Sequence, residues 1–107
     1  MSQSQKSRRE KLEEVVARQP DEAFARYALA IECGNTGDAD AAVLHFEELL
    51  RRHPGYVTGW FQFGQFLARI GRIEEARATL RRGIEGAIAA GDSHARDEMQ
   101  AALDSLE

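Results

Sequence analysis

The chain has two prolines, one cysteine and no long apolar run. Every apolar stretch is broken by Arg, Asp or Glu well short of the ~20 residues that cross a bilayer, so a membrane-embedded role is not expected. Met1 to Arg9 carry Lys and Arg with no apolar segment behind them, unlike a secretory signal, and a cytoplasmic location is the default expectation. A single cysteine, Cys33, excludes an internal disulfide and the multi-cysteine zinc frameworks, which suits a reducing compartment.

Lysine is also scarce: Lys6 and Lys11 stand against twelve arginines. The net charge of −4 is unevenly distributed. Residues 1–19 hold five basic and three acidic groups, whereas residues 20–107 hold nine and fifteen. Nonspecific nucleic-acid binding rests on several cation–phosphate contacts, which an acidic body opposes, so no nucleic-acid partner is expected. Apolar residues at 43% and charged residues at 30% describe a globular chain of one-domain length.

An internal period organises this material. Pro20 and Pro54 are 34 residues apart, as are Gly37 and Gly71, with no gap between the two matches. In the same frame Ala42 returns as Ala76, Phe46 as Leu80 and Leu50 as Ile84. Each unit contains an internal glycine break, so the unit reads as two helices joined by a short turn.

Apolar spacing supports this helix by helix. Trp60, Phe63, Gly64 and Leu67 lie on one helical face that Gly71 ends. Ile73, Ala76, Leu80, Gly83, Ile84, Ala87 and Ile88 form the next stripe, with Glu74, Glu75, Arg81, Arg82 and Glu85 off it. Ala39, Ala42, Val43, Phe46, Leu49 and Leu50 make the matching helix of the earlier unit, with Asp38 as its N-cap. Ser7 and Glu10 have capping-box spacing, so residues 7–19 read as the second helix of a truncated preceding repeat. Gly91-Asp92-Ser93 opens a last helix with Ala95, Met99, Ala102, Leu103 and Leu106 on its apolar side, a cap for the stack. The expected organisation is a tail over 1–6, a leading helix over 7–19, repeats over 20–54 and 55–90, and a capping helix over 91–106, together one all-α domain over 7–106.

These residues resemble the tetratricopeptide-repeat family. The second unit carries Trp60, Phe63-Gly64, Leu67, Gly71, Ala76, Leu80 and Gly83, with Gly83 in place of the usual Ala. The first carries Leu29-Ala30, Cys33, Gly37, Ala42, Phe46, Leu49 and Pro54, with Arg26 where the leading aromatic belongs. An alternative register shifts the first helix by two residues, matching Phe24, Tyr27, Ala28 and Ile31 to Trp60, Phe63, Gly64 and Leu67, and both remain open on the sequence alone. The resemblance implies antiparallel helix pairs stacked as a short right-handed solenoid of about six helices. It also implies a concave groove lined by Phe24, Tyr27, Ile31 and Asn35 of the first unit and Thr58, Phe61, Gln65 and Arg69 of the second. Those α-helical faces would hold a protein or peptide segment, while the competing reading places Phe24, Tyr27 and Ile31 in the core. Some family members clamp an acidic C-terminal peptide with Lys, Asn and Arg; here Tyr27, Ile31 and Gln62 occupy three of those places, which argues against a clamp.

Nothing in the spacing points to catalysis. Cys33, His45, His53 and His94 fall at unrelated positions, so no catalytic group, cofactor or metal site is expected. Glu14–Arg18, Glu47–Arg51 and Glu48–Arg52 have the i, i+4 spacing of helix-stabilising surface pairs. Arg51-Arg52 and Arg81-Arg82 read as solvated faces. A non-enzymatic interaction module, monomeric or weakly self-associating, is the leading expectation, and structural homo-oligomerisation is the alternative.

Overall fold

A computed structural model describes residues 5–107, and Met1–Ser4, part of the tail expected over 1–6, lie outside the described residues. The described residues form six helices and no strand: α1 Arg8–Arg18, α2 Ala23–Asn35, α3 Ala39–Arg52, α4 Val57–Arg69, α5 Ile73–Ala90 and α6 Ser93–Asp104. They divide between Leu49 and Leu50 into two compact units.

Three of the connections share one device. Gly37, Gly71 and Gly91 take φ of 89°, 86° and 72°, a left-handed region that costs glycine little. The residue after each glycine donates its N–H to a carbonyl five back: Asp38 to Cys33, Arg72 to Leu67 and Asp92 to Ala87. These 6→1 bonds satisfy carbonyls that a helix end leaves orphaned. Side chains then open the following helices, the Asp38 carboxylate accepting from Ala41 N–H at 3.2 Å and Asp92 from Ala95 N–H at 3.0 Å. Helix α1 begins with the full capping box between Ser7 and Glu10.

In the first unit α1 packs on α2. Val16 of α1, Leu29, Ala30 and Cys33 of α2, and Ala42, Val43, Phe46 and Leu49 of α3 are buried. Polar contacts pin α1 in place: Arg8 Nε lies 3.2 Å from Glu32, and Arg9 reaches Glu13 at 3.0 Å and Asp38 at 2.8 Å. Arg9 holds the Asp38 carboxyl below its ordinary range, and Asp38, then Glu13, raise the pKa of Arg9. At Glu14 the carboxylate takes Lys6 as its hydrogen-bond partner, and this bond, with the charges of Lys6 and Arg18, lowers its pKa.

In the second unit α4 packs on α5, α5 on α6, and α6 also reaches α4. The helices approach closely at two glycines. A methyl at Gly64 would lie 2.6 Å from Leu80 Cδ2, and one at Gly83 would lie 2.5 Å from Met99 Sδ and 2.6 Å from Trp60 Cβ. Gly83 therefore stands where the family usually has Ala because Met99 of α6 and Trp60 of α4 take the methyl's space. Met99 and Leu103 are buried, and Arg77 of α5 donates to the Leu106 carbonyl, fastening the end of α6. One stripe residue departs from expectation: Ile88 is 60% exposed while Ala87 beside it is fully buried.

Candidate peptide-binding faces

The first helices of the two repeats share one design. Trp60 is 6% exposed, and its indole N–H donates to the Pro54 carbonyl at 2.8 Å. Arg26, 8% exposed, donates from its guanidinium to the Pro20 carbonyl at 3.0 Å. Both donors reach back six residues to the proline that ends the preceding helix, and both are buried. The ungapped 34-residue register is the one the chain adopts, with Arg26 in the place of the aromatic. In the shifted register Phe24 would be the counterpart of buried Trp60, yet Phe24 is 63% exposed. The signal was present in the sequence as the common spacing from proline to a long N–H donor.

That register fixes which side of each helix is left over. At 100° per residue, Phe24, Tyr27, Ile31 and Asn35 of α2 fall within an arc of about 80°, and Thr58, Phe61, Gln65 and Arg69 of α4 fall within the same arc of their helix. Phe24 and Asn35 are exposed, Tyr27 and Ile31 half-buried. On α4, Thr58 and Arg69 are exposed, Phe61 and Gln65 half-buried. None of the eight is fully buried, and the reading of Phe24 as an interior residue fails at 63% exposure, whereas Tyr27 and Ile31 are partly covered. The Phe24 and Tyr27 rings lie 6.2 Å apart at 40°, a tilted pair, and partial burial raises the Tyr27 phenol pKa. The Arg69 guanidinium sits 5.5 Å from the centroid of the Phe66 ring, beside the face.

The remaining singled-out groups take structural places. Cys33 is a fully buried free thiol whose pKa burial pushes up, the opposite of an activated nucleophile. Among the described residues no three His, Cys, Asp or Glu side chains gather as a metal-ligand set. Arg82, expected on a solvated face, lies over the Trp60 ring at 4.6 Å, a cation–π contact that the spacing did not reveal. No described helix is long and apolar enough to cross a membrane.

Helix pairs of this length, turned at the left-handed glycines Gly37 and Gly71 one 34-residue period apart, define a helix-turn-helix repeat protein. The tetratricopeptide-repeat family profile matches residues 36–103, and the chain belongs to that family. A TPR repeat-containing protein of Pseudomonas aeruginosa is 31% identical over 98 residues, covering 92% of this chain and 93% of the relative. The solution structure of a tetratricopeptide repeat domain protein from Salinibacter ruber is 35% identical with a TM-score of 0.78, covering 83% of this chain and 90% of that one. A solution structure of a protein from Bordetella parapertussis is 27% identical with a TM-score of 0.80, covering 95% and 89%. Domains of this family are, in general, scaffolds for protein–protein interaction.

Proposed function

We propose that the chain is a non-enzymatic adaptor that binds peptide or protein segments through the face Phe24–Tyr27–Ile31–Asn35 of α2 in the first unit and through the face Thr58–Phe61–Gln65–Arg69 of α4 in the second, each read by itself. The observation that carries this reading is the Phe24–Tyr27 ring pair, in which a half-buried Tyr27 stands beside a Phe24 that is 63% exposed. Aromatic side chains bury much area at little entropic cost, which makes them the usual anchors of an interface. The α2 face carries no charge: of the two charged residues in α2, Arg26 is buried and Glu32 is engaged by Arg8. It favours an apolar or amphipathic segment. The face of a single helix makes a small interface, consistent with affinities of about micromolar order. A reducing, cytoplasmic setting suits the free Cys33 thiol.

Affinity capture from the native lysate followed by chemical-shift mapping of the purified pair tests this. Ring and amide shifts should concentrate on α2 and α4 at the named residues. Shifts concentrated instead on the outer arginines Arg51, Arg52, Arg81 and Arg82 would move the interface elsewhere. Sedimentation across a dilution series distinguishes a partner-binding module from one whose faces meet in a second copy of the chain.

A further inference from the structure

The α4 face offers one cation, Arg69, whose contact in its own unit is a ring and not a carboxylate. Helix α4 contains no acidic residue, and Arg69 is its single charged side chain. Four other arginines of the unit are engaged: Arg72 grips Glu75 through two bonds of 2.6 Å, Arg77 takes Glu74 and the Leu106 carbonyl, Arg96 takes Asp97, and Arg82 covers Trp60, while Arg81 is exposed on α5. Arg69 is exposed, and among the described residues it has no carboxylate within pairing distance. Its guanidinium is nevertheless held over the Phe66 ring, a contact that restrains the side chain while leaving its N–H edge open. A cation in the last helical turn also complements the helix dipole, but Lys would serve that purpose equally and needs no ring beneath it.

We propose, on the strength of the binding reading above, that the α4 face selects a segment carrying an apolar anchor for Phe61 and a carboxylate for Arg69. The two residues are eight positions apart, about 12 Å along the helix axis. An extended segment crosses that distance in about four residues, so both features fit in a short peptide. A planar guanidinium already oriented by stacking meets a carboxylate through two parallel N–H donors with little further ordering. The net charge of −4 on the chain opposes an acidic ligand at long range, but at physiological salt that field is screened beyond about 8 Å, and the local cation decides.

A display library of random linear peptides, selected against the full chain, supplies the probe. Enriched peptides should combine apolar residues with Asp or Glu. Binding of a synthesised winner should fall about tenfold on Arg69→Gln, by a similar factor when its acid is replaced by the amide, and no further when both changes are combined. Arg69→Lys should keep part of the affinity, and unchanged melting of both variants confirms that the fold is intact. Winners without acids, or winners sensitive to Phe61→Ala but indifferent to Arg69→Gln, overturn this inference and leave the binding faces standing. Winners indifferent to Phe61→Ala and Tyr27→Ala, or no enrichment at all, overturn the faces and the inference together.

Discussion

Arg26 and Trp60 occupy the same place in successive repeats and make the same bond, each donating a side-chain N–H to the carbonyl of the proline six residues earlier. One side chain is a charged chain and the other a large ring, so their chemistry in isolation gives no hint of equivalence. What they share is reach, a donor at the tip, and an apolar body that burial accepts. The proline carbonyl needs such a donor, because it follows a helix end and has no partner within the helix.

Trp60→Ala should therefore cost about 3–5 kcal/mol, the range for truncating an aromatic in a core. It removes the bond to Pro54, the surface beneath Arg82, and part of the packing at Gly83. Urea unfolding checks the size; a loss under about 1 kcal/mol would place Trp60 outside the core.

Two neighbouring glycines of α5 should respond in opposite directions to the same substitution. At Gly86 an added methyl meets nothing within 4 Å, so Gly86→Ala should stabilise by up to about 1 kcal/mol through helix propensity alone. At Gly83 the methyl collides with Trp60 Cβ, which is fixed to its backbone and cannot turn away. Overpacking of this kind costs about 1–3 kcal/mol, so Gly83→Ala should be net destabilising. Paired thermal melts decide, and equal shifts of one sign would contradict the close approach.

Helix α6 covers apolar surface of α4 and α5 through Met99 and Leu103. Removing residues 92–107 should expose that surface and give a protein that self-associates or precipitates. Light scattering on the truncated chain checks this; a monomer of unchanged stability would make α6 an appendage.

The pH dependence has a separable component. Burial lowers the His45 pKa from 6.5, the positive charges of Arg26 and Arg9 lower it further, and Glu13 and Asp38 oppose them. The unfolded chain thus binds the proton more readily, and stability from this group is complete above 6.5 and lost as pH falls through the folded value. The lowered carboxylates Asp38 and Glu75 act in a more acidic window, as pH falls below their ordinary values of 3.8 and 4.5. Between about pH 7 and pH 5, wild type should lose more stability than His45→Gln. Equal losses in denaturant titrations would remove His45 from the account.

Local grammar carried most of the fold. Ser7, Asp38 and Asp92 cap where their spacing predicts, and Gly37, Gly71 and Gly91 turn left-handed where the periodic stripes end. These are contacts within a few residues, so the sequence displays both partners side by side. Arg82 over Trp60 and the exposure of Ile88 depend instead on how the ends of separate helices meet, which an i, i+3, i+4 pattern does not encode. The face residues stood between these cases. Their helical spacing was plain, but whether Phe24 pointed to solvent turned on the two-residue choice of register, which Arg26 and Pro20 resolve.

The central claim is that α4 separates its labours by face, Trp60 building the core and Phe61, about 100° away, meeting the ligand. Stability and binding of Phe61→Ala, measured together with Tyr27→Ala and their double mutant, test it most directly. Each single change should shift stability by less than about 1 kcal/mol, as changes at incompletely buried sites do, and weaken partner binding about tenfold, or 1.4 kcal/mol. Full binding by all three folded variants would contradict the account.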